Sequence, residues 1–257
     1  MVLIAVINES TLVNNTDAEN MVAAIQLQVN RDFLPAWNMR AATVQFFASK
    51  AAVATNDWCI SILDNSTQAG ALGYHTIEAD DEIDGFIFAK PVLDNKGVVL
   101  YDAAEPQNTS VSSVLSHEVL EALGDPFCNT TMQGFEITVS GKVYSEFSLE
   151  VADPVEDTSY MINVNNVDVS VSNFVYPNYF RPEATGADAP FDQLHKLARP
   201  FSLTPGGYYV VSQAGNTQQI FGETMPVWKQ EMKRSGFART ATRIRTMKNK
   251  QSNTACQ

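Results

Sequence analysis

The stretch "SVLSHEVLEALGDP", residues 113–126, decides how the rest of the chain is read. It holds a His-Glu pair, a second Glu four residues after the His, and a Gly-Asp-Pro stop. Ser110 or Thr109 can cap a helix here, Gly124 stands where a left-handed residue often closes one, and Asp125-Pro126 forbids continuation. On such a helix residues i and i+4 share a face, so His117 and Glu121 become neighbours. Val111, Leu115, Val119 and Ala122 form an apolar side that can pack on a sheet. The polar side is either a solvated face or a metal site. If His117 and Glu121 hold a divalent ion, Glu118 can take the proton from a water beside it.

Upstream of this helix the chain alternates buried strands with one long helix. "VLIAVIN" (2–8) is a continuous apolar, β-branched run, which predicts a strand covered on both faces. Residues 16–34 predict a helix with Thr16 as N-cap, Glu19 completing a capping box, and Pro35 as terminator. "ATVQFFA" (42–48), "WCISILD" (58–64) and "GFIFAKPVL" (85–93) read as strands, and the Gly-punctuated "AGALGYHT" (69–76) reads as an irregular edge strand. After Gly124 the chain becomes strand-rich. "FEITVSG", "VYSEFSLEV", "YMINVNNVDVSVSNFV", "GGYYVVSQ" and "TQQIFG" are separated by turns, with a hairpin expected at Asn165-Asn166.

Composition sets the outer limits. The chain has 257 residues, 45% of them hydrophobic, enough for one sizeable domain with a real core. Residues 1–228 carry 9 basic and 28 acidic residues, about −19 by formal charge, and form the expected body; residues 229–257 carry eight basic residues and one acidic, and form a basic tail of about +7. Three irregularly spaced cysteines argue against a disulfide framework. The N-terminus lacks the flanks of a signal peptide, and no apolar run approaches the roughly 20 residues that span a bilayer. The expectation is a non-membrane protein of the cytoplasm, or of the virion if phage-encoded.

The strand-helix-strand-strand-edge-strand unit leading into a His-Glu helix resembles the N-terminal half of zincin metalloproteases. In the metzincin branch a Gly follows the second ligand by three residues, as Gly124 follows Glu121; Glu121 stands in place of the second His and Phe127 in place of the third ligand. "AGALGYH", "SHEVLEALGDP", "EVADPVED", "VSNFVYPNYF" and "PGGYYVVSQ" look like an uncharacterised bacterial and phage protein family marked by a His-Glu-x-x-Glu helix followed by Asp-Pro. The resemblance covers about residues 2–222. It implies an α+β, zincin-like fold with a β-rich second half.

"FSLEVADPVED" (147–157) supplies the remaining ligand. By the logic of zincins whose third ligand is a downstream Glu, Glu150 completes the set and Asp153 orients His117 from behind. Asp125 is the rival ligand. His75 is a possible substrate or supporting group, His195 a weaker one, and "NFVYPNYF" is core packing, an interface or a carbohydrate or peptide surface. One imidazole and two carboxylates admit zinc first, and Mn²⁺, Mg²⁺ or Ca²⁺ because the set is oxygen-rich. Two functions follow as expectations. One is a metal-dependent hydrolase acting on a peptide or protein, with Glu118 catalytic. The other is a phage virion or assembly protein that keeps the fold without catalysis, its tail at 229–257 meeting a capsid or assembly subunit or nucleic acid through charge.

Overall fold

The computed structural model describes residues 1–223 except 56, 69, 79–81, 140 and 188. The tail at 229–257, and the body's boundary at 228, lie outside the described residues. The architecture is α+β. A five-stranded sheet runs in the order β2-β1-β3-β5-β4, built from β1 (Val2–Asn8), β2 (Ala42–Phe47), β3 (Trp58–Leu63), β4 (Gly73–Ile77) and β5 (Ile83–Phe88). β1 pairs in parallel with β2 and β3, and β3 with β5; β4 alone is antiparallel, at the edge. Ile4, Ala5, Val6 and Ile7 of β1, an interior strand, are fully buried. Ile4 and Val6 face the main core, while Ala5 and Ile7 join a small second cluster with Cys59. A strand covered on both faces has no polar alternation to show, which is why it reads as one apolar run.

The main core lies between this sheet and two helices, α1 (Asn15–Gln28) and the motif helix, which is α4 (Val111–Gly124). α1 contributes Met21 and Ile25, and α4 contributes Val111, Leu115 and Val119, all fully buried. The second half forms a four-stranded antiparallel sheet, order β11-β10-β7-β6, from β6 (Thr131–Thr138), β7 (Gly141–Ser148), β10 (Tyr208–Gln213) and β11 (Asn216–Phe221). A separate hairpin, β8 (Ser159–Val164) and β9 (Val167–Ser172), packs β9 against both α4 and α1. Its turn residues Asn165 and Asn166 have φ of 53° and 61°, the double left-handed conformation of a two-residue hairpin loop.

Several local expectations are corrected. The N-cap of α1 is Asn14, not Thr16: its side chain accepts the Asp17 amide at 2.8 Å and donates to the Asp17 carboxylate at 2.8 Å. Asn is as good a cap as Thr, and here Asp17 supplies the reciprocal contact expected of Glu19. Pro35 does not end the helical run. Val29–Phe33 form a π turn in which the Leu34 amide reaches the Val29 carbonyl, and helix α2 (Leu34–Trp37) follows with Pro35 in its first turn. The widened turn just ahead of Pro35 lets the helix continue past a residue that has no amide to give to its ladder. The expected strand at 85–93 stops at Phe88, and Ala89–Asp94 form a short helix, α3, with Pro91 again in the first turn. Gly124 is the last residue of α4 and not a left-handed closure; the C-cap, Asp125, has φ −145°. Glycine is required there by proximity, since a Cβ would lie 2.9 Å from Cγ1 of Val151.

Candidate metal centre

The motif helix is fixed in rotation before any site chemistry is considered. Ser110 and Ser113 form a reciprocal cap, the Ser110 hydroxyl accepting the Ser113 amide at 3.0 Å and the Ser113 hydroxyl accepting the Ser110 amide at 3.1 Å. Ser112 donates to the Ser170 carbonyl at 2.7 Å. Ser116 donates to Gln28 of α1 at 2.7 Å and accepts the Ser172 amide at 3.0 Å. Gln28 also donates to the Ser172 carbonyl at 2.8 Å. Buried polar groups of this kind are costly unless satisfied, so these bonds allow the helix one orientation about its axis.

That orientation buries the polar side of the helix. His117 is 7% exposed, Glu118 2% and Glu121 0%, which removes the reading of a solvated face. His117 Nε2 lies 3.2 Å from Glu121 Oε1, one turn along the helix. It lies 3.1 Å from Asp153 Oδ1, on a separate segment. Donor atoms of these three residues all lie within 4.8 Å of one another. In a tetrahedral zinc site with bonds of about 2.0 Å, neighbouring donor atoms are about 3.3 Å apart, so the spacing from the imidazole suits one ion. The donor chemistry fits as well: one imidazole nitrogen and two carboxylate oxygens.

Asp153 reaches the helix because of a tight turn. Asp153–Val155 form a single 3₁₀ turn whose leading amides, Ala152 and Asp153, donate to Glu121 Oε1 at 3.4 and 3.2 Å. The turn is held from outside by the Thr204 amide, which donates to the Pro154 carbonyl at 3.1 Å. Gly207 passes so close that a Cβ would sit 2.2 Å from that carbonyl oxygen. Tyr208, buried in β10, bonds the Asp153 carboxylate. Burial first, then the negative charge of Asp153, Glu156 and Glu150, pushes its phenol well above the ordinary value. Tyr208 therefore stays a neutral donor at physiological pH and supports Asp153, the kind of partner that orients a ligand.

Of the expected site residues, His117 and Glu121 come together as the helix period requires, and Glu118 shares a second group of donors with Glu121 and His75. Glu150 and Asp153 exchange places relative to expectation. Asp153 belongs to the converging group, while Glu150, 2% exposed, belongs to neither group of donors close enough to share an ion. Asp153 opens the 3₁₀ turn that packs against Glu121, whereas Glu150 precedes it by three residues, with the fully buried Val151 and Ala152 between them. Asp125 is engaged elsewhere, accepting the Thr130 amide and hydroxyl, each at 2.9 Å. His195 is an exposed loop residue with φ 55°, and it joins neither donor group. "NFVYPNYF" is core: Phe174, Tyr179 and Phe180 are buried, and Phe174 meets Phe33 edge-on at 5.2 Å.

His75 is the residue that sequence reasoning placed too loosely. It is 2% exposed on edge strand β4, with Nδ1 3.3 Å from Glu118 Oε2 and Nε2 3.2 Å from the Asp125 carbonyl oxygen. A carbonyl only accepts, so Nε2 carries a hydrogen and Nδ1 is the atom turned toward Glu118. The signal for it lay in "GYHT": in a strand, His75 faces the opposite side from Tyr74 and Thr76, but nothing in the sequence says which side meets α4. The neighbourhood is markedly acidic, with Glu118, Glu121, Asp125, Glu150 and Asp153 all buried, whereas no Lys or Arg is buried among the described residues. No helix among the described residues is long and apolar enough to cross a membrane. Comparison with protein-family models, curated proteins and solved structures finds no match for this chain.

Proposed function

We propose that the chain is a metal-dependent hydrolase of zincin-like build, acting on a peptide or protein. The observation that carries this is the convergence of His117, Glu121 and Asp153 from two separate segments, with Glu118 next to His117 on the same helix. The element order also supports it: strand, helix, two strands, antiparallel edge strand, strand, then the His-Glu helix. His117, Glu121 and Asp153 would hold one divalent cation, zinc first. When bound, that ion supplies a Lewis acid that polarises a carbonyl and acidifies water. Glu118 holds the position of general base, with His75 Nδ1 3.3 Å from its carboxylate on the strand side. The Asp125 carbonyl accepts from His75 Nε2 at 3.2 Å and so sets the ring's orientation beside Glu118.

The test is hydrolysis of an unfolded protein and a mixed peptide pool by zinc-loaded protein, compared with Glu118→Gln. The expected result is cleavage by the parent chain, and a rate lower by about 10²–10⁴-fold in the variant at equal metal content, the usual contribution of a general base. Equal cleavage by both would assign the chemistry elsewhere. A second reading, a virion or assembly protein without catalysis, is favoured by one observation: Glu118 is only 2% exposed, so a substrate reaches it only if covering groups move. Under that reading the tail at 229–257, about +7 against a body of about −19, docks an assembly subunit or nucleic acid. Truncation at Trp228 then abolishes assembly and polyanion binding, and neither form cleaves peptides.

A further inference from the structure

We infer that His75, Glu118 and Glu121 form a second divalent-cation site, adjoining the first through Glu121. Its consequence for catalysis rests on the function proposed above; its existence does not. Donor atoms of the three residues lie within 4.8 Å of one another, and all three side chains are buried. His75 Nδ1 and Glu118 Oε2 are 3.3 Å apart, close to the separation of about 3 Å between adjacent ligands around an ion with bonds of about 2.1 Å.

The histidine is prepared for this role. A ligand imidazole commonly donates its other N–H to a carboxylate or backbone carbonyl, which fixes the ring and its tautomer. Here Nε2–H donates to the Asp125 carbonyl oxygen at 3.2 Å, leaving Nδ1 as the coordinating atom facing the two glutamates. The backbone that carries the ring is held as well: it is in register on β4 opposite Gly85, and its carbonyl accepts from the Cys128 thiol at 3.8 Å. Glu121 is the hinge between the sites. Its carboxylate has two oxygens, one of which already faces His117, and a carboxylate of this kind can bridge two ions as in two-metal hydrolytic centres. The buried excess of acidic over basic groups favours a second positive charge.

The two sites have opposite effects. An ion held by His117, Glu121 and Asp153 does not coordinate Glu118, whose carboxylate can then take a proton. An ion held by His75, Glu118 and Glu121 binds that carboxylate and removes the base. The chain is therefore active with the first site filled and inhibited when excess metal fills the second.

The test is equilibrium dialysis of the full chain against Mn²⁺, with metal counted per chain, for the parent, His75→Phe and Glu118→Gln. The expected result is two ions per parent chain, the second bound more weakly, and one per chain in either variant. In the parent at saturation, the Mn²⁺ electron paramagnetic resonance spectrum should show exchange coupling between carboxylate-bridged ions. That spectrum decides the matter even if a variant does not fold. One ion per parent chain with an uncoupled spectrum overturns the second site and leaves the first standing. Two ions in both the parent and His75→Phe also overturn it. No bound ion overturns both readings.

Discussion

Replacing Glu121 with Gln separates charge from shape at the centre of the site. The amide is nearly isosteric, and its oxygen can keep the contacts that Glu121 Oε1 makes with the Ala152 and Asp153 amides, at 3.4 and 3.2 Å. What the substitution removes is one negative charge from a crowded position. Glu121 has donor atoms within 4.8 Å of those of Glu118 and of Asp153. At that separation and an effective dielectric constant of about 20, two full negative charges repel by about 3 kcal/mol. Without metal, Glu121→Gln should therefore leave stability unchanged or raise it. With metal the sign reverses. A ligand at one hundred times its dissociation constant stabilises the fold by about 2.7 kcal/mol. For a chain of this size each kcal/mol moves the melting temperature by about 2–4 °C, so saturating zinc should raise that of the parent by about 5–11 °C. Most of that rise should vanish in the variant at the same zinc concentration. Differential scanning calorimetry with and without zinc, after chelator treatment, measures both halves. A variant several kcal/mol less stable without metal, yet with the full zinc-induced rise, would refute the reasoning. It would show that Glu121 serves the fold and not an ion.

Other expectations follow from single contacts. Glu118→Gln should keep the part of the zinc-induced rise in melting temperature that comes from the first site while hydrolysis falls by about 10²–10⁴-fold, as calorimetry and a peptide-cleavage assay on one preparation will show. Gly124→Ala should destabilise by about 1–3 kcal/mol in urea titration, the usual cost of overpacking, because its Cβ would meet Val151 at 2.9 Å. Asp64, held by the hydroxyls of Ser10 and Thr11 and by backbone amides, has its carboxyl lowered from 3.8 to about 2. A folded value below the unfolded one means its stabilisation is complete above about 3.8 and is lost as pH falls toward 2. A carboxyl NMR titration of Asp64 checks the value, and Asp64→Asn should flatten that part of the acid-unfolding profile.

The sequence made the first half of the fold legible because its signals are local. "VLIAVIN" is apolar on both faces because both faces are covered, and His117 and Glu121 are neighbours by helix period alone. The left-handed turn at Asn165-Asn166 was readable for the same reason. What could not be read depends on contacts distant in sequence. The choice of Asp153 over Glu150 is made by a 3₁₀ turn clamped by Thr204, Gly207 and Tyr208, some fifty residues further on. The pairing of His75 with Glu118 depends on which face of β4 meets α4, and periodicity says only that faces alternate. The helix at 29–37 shows a local rule overridden: Pro35 signals a stop, but one widened turn carries the helix through it.

The central claim is that His117, Glu121 and Asp153 hold one ion together. Crystals of the full chain soaked in zinc, with diffraction collected on both sides of the zinc absorption edge, test it most directly. The account expects an anomalous peak bounded by His117 Nε2, Glu121 Oε1 and Asp153 Oδ1, with bonds near 2.0–2.2 Å. Peaks only at the surface, with His117 still about 3.1 Å from Asp153 and no density between them, would contradict it.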